Sequence, residues 1–135
     1  APGLPEVLAD FAQRLGKVPV NAEDGPGFIV NRVARPYYLE AQRIALEGAA
    51  GPPGPEAFAR IDSVLEGAGF RMGPFKLMDL IGMDTNHAVS QSLYEGFFHE
   101  PRFRPSRMQQ QLVDAGRLGR KTGQGWFAYP KDESK

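Results

Sequence analysis

The sequence is 135 residues long, 41% hydrophobic and 24% charged, the size of a single domain that can bury a core without staples. Sixteen Lys and Arg balance sixteen Asp and Glu, which removes the electrostatic drive toward nucleic acid or an anionic membrane surface. The absence of Cys excludes a disulfide framework, a thiol nucleophile and a thiolate metal site, and the two imidazoles, His87 and His99, have no carboxylate at metal-ligand spacing, so no metal is expected. No apolar run nears the roughly 18 residues of a membrane span, and the first residues lack a basic stretch followed by an apolar one. A cytoplasmic, membrane-free protein is therefore expected.

Sixteen Gly and twelve Pro are more than average usage supplies, and with this hydrophobic content they should punctuate compact elements. Pro5 to Leu15 carries Leu8, Phe11, Ala12 and Leu15 at helical spacing, stopped by Gly16. Lys17 to Val20 reads as a brief extended run with no partner strand in the chain. Asp24-Gly25-Pro26-Gly27 is the densest cluster of breakers in the first half and predicts a hinge. From Phe28 to Glu47 the apolar positions cover so wide a face that the helix should be central and buried, and Pro36 should kink it around Arg32 to Arg35. Pro55 opens the next helix, to about Glu66, with Phe58, Ile61, Val64 and Leu65 toward the core. Pro74 opens another that Gly82 interrupts, with Asp84 or Thr85 capping a continuation to about Phe98. Ser106 should cap a short helix ending at Gly116, and Trp126, Phe127 and Tyr129 should pin an extended tail.

Each candidate motif has a plain structural alternative. Gly67-Ala68-Gly69-Phe70-Arg71-Met72-Gly73 follows a helix and has the wrong spacing for a dinucleotide loop, so a helix-terminating turn accounts for it better. Gly116 to Gly125 combines Gly, Arg117, Arg120, Lys121 and Thr122 without the spacing of a phosphate loop; it is either a solvated loop or a site for an anion. Asn31 must satisfy its carboxamide, either on a carbonyl freed at the Pro36 kink or by orienting a reacting group in a cleft. Arg32 and Arg35 would be neutralised by Glu40, Asp62 or Asp79. Met72, Phe75 and Met78 line an acyl groove or belong to the core. His87 and His99 read as surface or capping residues, and no nucleophile with an adjacent base is visible.

Asp24-Gly25-Pro26-Gly27-Phe28-Ile29-Val30-Asn31-Arg32 resembles the start of the C-terminal domain of 3-hydroxyacyl-CoA dehydrogenases. Glu40-Ala41, Ile61-Asp62, Arg71-Met72-Gly73-Pro74-Phe75, Leu77-Met78-Asp79, Gly82-Met83-Asp84 and Gly119-Arg120-Lys121-Thr122-Gly123-Gln124-Gly125-Trp126 follow in the family's order. Pro101-Arg102-Phe103-Arg104-Pro105-Ser106 resembles the 3-hydroxybutyryl- or 3-hydroxyadipyl-CoA subgroup associated with phenylacetate breakdown. The resemblance implies an all-α multihelical domain around two long antiparallel helices, like the 6-phosphogluconate dehydrogenase C-terminal domain, with a short N-terminal strand remnant.

It further implies that residues 1–24 are the end of a Rossmann domain plus the hinge, that 25–130 form a helical substrate and dimerisation domain, and that 131–135 fray. NAD would be held mainly by the Rossmann domain, which also supplies the family's His and Glu. By the same resemblance Asn31 is the active-site Asn, Lys121 approaches the cofactor, and Phe28, Met72, Gly73, Pro74 and Phe75 bind the acyl part of an acyl-CoA substrate. A homodimer is implied, and the chain alone should be inactive. Two rivals stand beside this reading: a non-catalytic helical self-association module, and a related 2-hydroxy- or sugar-acid dehydrogenase.

Overall fold

A computed structural model describes residues 3–130 of the chain, so the tail expected to fray lies outside the described residues. Six α-helices follow in order: α1 (Leu4–Arg14), α2 (Val30–Leu46), α3 (Pro55–Gly67), α4 (Pro74–Ile81), α5 (Met83–Gly96) and α6 (Arg107–Asp114). Short 3-10 turns occupy Pro101–Phe103 and Arg120–Thr122. The fold is all-α, as the sequence implied.

Pro near the N-terminus starts α1, α3 and α4, where its missing N–H is no loss and its fixed φ favours the helix. Gly82, at φ 103°, separates α4 from α5. Among the described residues no strand forms at Lys17 to Val20, and this corrects the expected strand remnant. An extended segment gains its backbone hydrogen bonds only from a neighbouring strand, and there is none beside it.

The two long helices α2 and α5 run antiparallel. Arg35 of α2 meets Asn86 and Ser90, whereas one turn earlier in α2 the partner is later in α5, with Asn31 and Leu93 both against Gly27. Only the latter part of α2 is buried, through Arg35, Tyr38, Leu39, Ala41, Gln42 and Ala45. Its first turn is open to solvent at Val30, Asn31, Arg32 and Val33, which corrects the expectation of a helix buried along its length. Pro36 lies within α2, and the helix continues through it. On α3 the buried side is Ala57, Phe58, Ile61 and Asp62, while Val64 is exposed instead of facing the core.

The core is aromatic at its centre. Phe75 stacks on Phe58 with centroids 4.6 Å apart, and Trp126 meets both rings edge-on at 5.0 Å, the offset and T-shaped geometries that ring quadrupoles favour. Two buried carboxylates hold the surrounding backbone. Asp62 accepts from the N–H groups of Phe75 and Lys76 at 2.9 and 3.1 Å, satisfying donors that the first turn of α4 cannot satisfy itself. Asp79 accepts from the N–H groups of Trp126 and Phe127 at 2.9 and 3.0 Å and from the Tyr129 hydroxyl at 2.9 Å. The aromatic tail is thus pinned by a carboxylate beneath it as well as by its rings.

Candidate functional site

Asn31 stands in the first turn of α2, and the turn before it is shaped by close packing. Gly27 has φ 74°, and a Cβ there would lie 2.7 Å from Leu93 Cδ2 and 3.1 Å from Asn31 Cβ. The next residue, Phe28, also has positive φ, at 47°. Across the interface, a Cβ on Gly96 would press into Pro26, 2.6 Å from its Cγ. Small residues on both sides therefore let the chain enter α2 directly against α5.

The carboxamide of Asn31 is exposed and makes no hydrogen bond among the described residues. The structural alternative, in which it satisfies a carbonyl at the Pro36 kink, is not realised. An unbonded amide on an open helix turn is instead free to meet a ligand. The surface of its own turn is apolar, with Phe28, Ile29, Val30 and Val33 exposed; separately, Leu4, Val7, Leu8, Phe11 and Leu15 are exposed along α1. No residue of α1 is buried. A cavity of about 380 Å³ lies along this entry, lined by Asn21, Pro26, Phe28, Ile29, Arg32 and Phe97 among others.

The two arginines behave differently from each other and from expectation. Arg32 is exposed, its guanidinium carbon 5.0 Å from the centroid of the Phe97 ring. Arg35 is 2% exposed and donates from Nη1 to the Asn86 carbonyl at 3.0 Å, to Asn86 Oδ1 at 3.1 Å and to Ser90 Oγ at 3.1 Å. The anticipated acids do not reach either arginine: Glu40 pairs with Arg43, while Asp62 and Asp79 serve backbone N–H groups. Burial pulls the Arg35 pKa down from its usual value. Gln109 joins the same network by donating to Asn86 Oδ1 at 2.9 Å. Sequence reasoning missed this buried polar network; its one visible signal is the four-residue spacing of Asn86 and Ser90, which puts both on one face of a helix.

Lys121 is brought to Asp84, not to Asn31. Its ammonium lies 2.6 and 2.7 Å from the two Asp84 oxygens on the surface, which holds that carboxyl below its usual pKa. Asp84 and Leu93 are nine residues apart on α5, about 14 Å along the axis, so Lys121 and Asn31 occupy separate parts of the domain. Asp84 therefore serves as a partner for Lys121, and the residue that precedes α5 is Gly82, which has no side chain to cap it. Ser106 likewise precedes α6 without a side-chain capping bond.

The residues expected to line the acyl groove divide. Phe28 is exposed beside Asn31 and Met72 is half-buried, its carbonyl accepting from the Tyr37 hydroxyl at 2.7 Å. Gly73, Pro74 and Phe75 are interior. Gly73 sits where any Cβ would overlap Asp62, and Phe75, without exposed surface, belongs to the aromatic core. These three position α4, and their burial corrects the reading that places them in a groove wall. Of the histidines, His99 is exposed, whereas His87 is buried with Nε2 2.6 Å from Gln110 Oε1; its expected surface placement is also corrected. Among the described residues no cluster of His, Cys, Asp or Glu is arranged to hold a metal, and no helix is long and apolar enough to cross a membrane.

Residues 27–129 match the 3-hydroxyacyl-CoA dehydrogenase, C-terminal domain family, and the chain belongs to that family. It is 51% identical over 122 residues to 3-hydroxyadipyl-CoA dehydrogenase of Escherichia coli K12, covering 90% of this chain and 25% of that protein. It is 41% identical over 125 residues to the mitochondrial hydroxyacyl-coenzyme A dehydrogenase of Sus scrofa, covering 92% and 38%. Its fold matches the crystal structure of 3-hydroxybutyryl-CoA dehydrogenase from Escherichia coli K12 with TM-score 0.88 and 46% identity, over all of this chain and 28% of that one. The enzyme of that kind from Ralstonia eutropha gives TM-score 0.83 and 38% identity, over 93% of this chain and 42% of the other. The chain thus spans between about a quarter and two fifths of the length of these relatives.

Proposed function

We propose that this chain is the helical half of an NAD-dependent 3-hydroxyacyl-CoA dehydrogenase, which oxidises a 3-hydroxyacyl thioester to the 3-oxoacyl thioester. The observation that carries the reading is the apolar surface exposed at the start of α2, Phe28, Ile29, Val30 and Val33, with the unbonded Asn31 amide among them. Such a face calls for a covering domain, and a site closed between two domains would exclude water from Asn31 and the reacting carbon. NAD accepts the hydride when bound. The residues described here offer no dinucleotide cradle, since Gly73 backs onto Asp62 and Lys121 is paired, so the cofactor belongs to the covering domain.

Within that site the Asn31 amide orients the substrate oxygen and the neighbouring base, Phe28 and Met72 flank the acyl portion, and Lys121 approaches the cofactor only by leaving Asp84. The thioesters that suit the chain are 3-hydroxybutyryl and 3-hydroxyadipyl CoA, as in the names of its relatives. The active form is a homodimer, and metals and nucleic acid play no part.

The test compares this chain alone with the chain fused to a dinucleotide-binding domain of the family, assayed with 3-hydroxyacyl-CoA and with free 2-hydroxy acids. The expected result is NADH formation from the thioester by the fused protein only. Turnover of the free acid instead would move the chain to the sugar-acid type of dehydrogenase. No turnover by any fusion that folds would favour a self-association module. Light scattering of the active protein as a monomer at tens of micromolar, where association is governed by mass action, would remove the dimer.

A further inference from the structure

The start of α2 is flanked by two cavities. The second, about 480 Å³, is lined by Arg32, Val33, Pro36, Phe97, Glu100, Arg102 and Phe103. Arg32 and Phe97 line both cavities, so the two meet at that pair. Neither the Arg32 nor the Arg102 guanidinium has an ion-pair partner among the described residues. Glu100 spends one oxygen on the backbone N–H of Arg102, at 3.3 Å, and does not reach either guanidinium. Two arginines, one carboxylate and the rings of Phe97 and Phe103 leave the cavity with one net positive charge and apolar walls.

We propose that this cavity receives the terminal carboxylate of a dicarboxylic acyl-CoA, with Arg32 and Arg102 as the residues that select it. The inference rests on the dehydrogenase reading above and adds its specificity. Arg32 directly follows Asn31 in α2 and lines both cavities, so the second cavity opens beside the turn that carries Asn31. Only a few carbons separate the carbinol of a six-carbon diacid from its free carboxylate, a reach that suits adjacent residues of one helix turn. An apolar stem would lie against Phe28 and Phe97, and the free carboxylate would end between planar guanidinium groups, whose donors match a carboxylate pairwise. Phe97 holds Arg32 in place by the attraction between its ring face and the cation. Glu100 tempers the site by repelling the same carboxylate.

The experiment uses the complete enzyme and reads a ratio: kcat/KM for 3-hydroxyadipyl-CoA divided by that for 3-hydroxyhexanoyl-CoA, which has the same carbon count and no second carboxylate. The expected ratio exceeds one. It falls by about tenfold to a hundredfold in Arg102→Met, the range for losing a hydrogen bond to a charged group, and rises in Glu100→Gln. A ratio at or below one in the parent enzyme overturns the proposal, as does a ratio that neither variant moves. If the hexanoyl thioester turns over without diacid preference, only this inference falls. If neither thioester is oxidised, the dehydrogenase reading falls with it.

Discussion

Residues 3–34 and residues 35–130 differ in how much of their surface is buried: the earlier region contributes none of the buried core, which lies wholly in the later one. In the later region several charged groups are spent internally: Asp62 and Asp79 accept from five donors between them, and Arg35 Nη1 donates to Asn86 and Ser90. In the earlier region Leu4, Val7, Leu8, Phe11, Phe28 and Ile29 face solvent, and Asn31 keeps its hydrogen-bonding capacity unused. The difference teaches where function resides. Buried charges that have found partners determine shape, and the exposed groups left unpartnered, Asn31 in the earlier region and Arg102 in the later, are those a second surface or a ligand can use.

The largest effect that separates the two regions should come from Asn31→Ala in the complete enzyme. Loss of orientation at the reacting centre should lower kcat by about a hundredfold, while the melting temperature stays unchanged because the side chain is exposed and unbonded. Steady-state kinetics and thermal unfolding on the same preparation test this; an unaltered kcat would remove Asn31 from the reaction. Gly125→Ala should do the reverse. Its Cβ would overlap the Asp79 carboxylate and lie 2.7 Å from Gly119 Cα, a crowding that should cost about 3 kcal/mol. Urea unfolding showing less than about 1 kcal/mol lost, the scale of an ordinary substitution, would mean that the Asp79 clamp is looser than its geometry indicates.

Arg35→Met sharpens the comparison within one helix, because Arg35 lies one turn after Asn31. Removing its donors leaves Asn86 and Ser90 with buried oxygens short of partners, for a loss of roughly 2 kcal/mol. The same unfolding assay should show that loss for Arg35→Met and none for Asn31→Ala; equal values would erase the division drawn between the two turns of α2.

The smallest effect is a dependence on alkaline pH that belongs to the later region alone. Burial pushes Tyr37 from 10.0 up to about 12, and burial together with its bond to Asp79 does the same for Tyr129. A hydroxyl whose folded pKa is raised contributes stability that is complete below its unfolded value and is lost as pH climbs through the folded one. Stability should therefore decline between pH 10 and 12, and Tyr37→Phe should flatten that decline. A parent protein with constant stability across the window would show that these hydroxyls are not held neutral by the fold.

The helices themselves were legible because their signals are local. Pro5, Pro55 and Pro74 start them, Gly82 breaks one, and the spacing of Phe58 and Ile61 marks the face that is buried. The same local reading misplaced Val64 and the first turn of α2, since periodicity reveals an apolar face without revealing whether a neighbour covers it. It also proposed a strand at Lys17 to Val20, which needs a partner outside the segment.

The order of motifs along the sequence was enough by itself to determine the family and the all-α class, because spacing survives in one dimension. What each polar residue does was decided only by tertiary structure. Asp62 and Asp79 were offered as counterions for arginine and became anchors for backbone N–H groups; Lys121 found Asp84 on another element; Phe75 went to the core. Asn31 and Arg35, four residues apart on one helix, came out open and buried respectively. Hydrogen bonds are settled by whichever donor and acceptor the packing brings within 3 Å or so, and those partners lie up to 58 positions apart among the described residues.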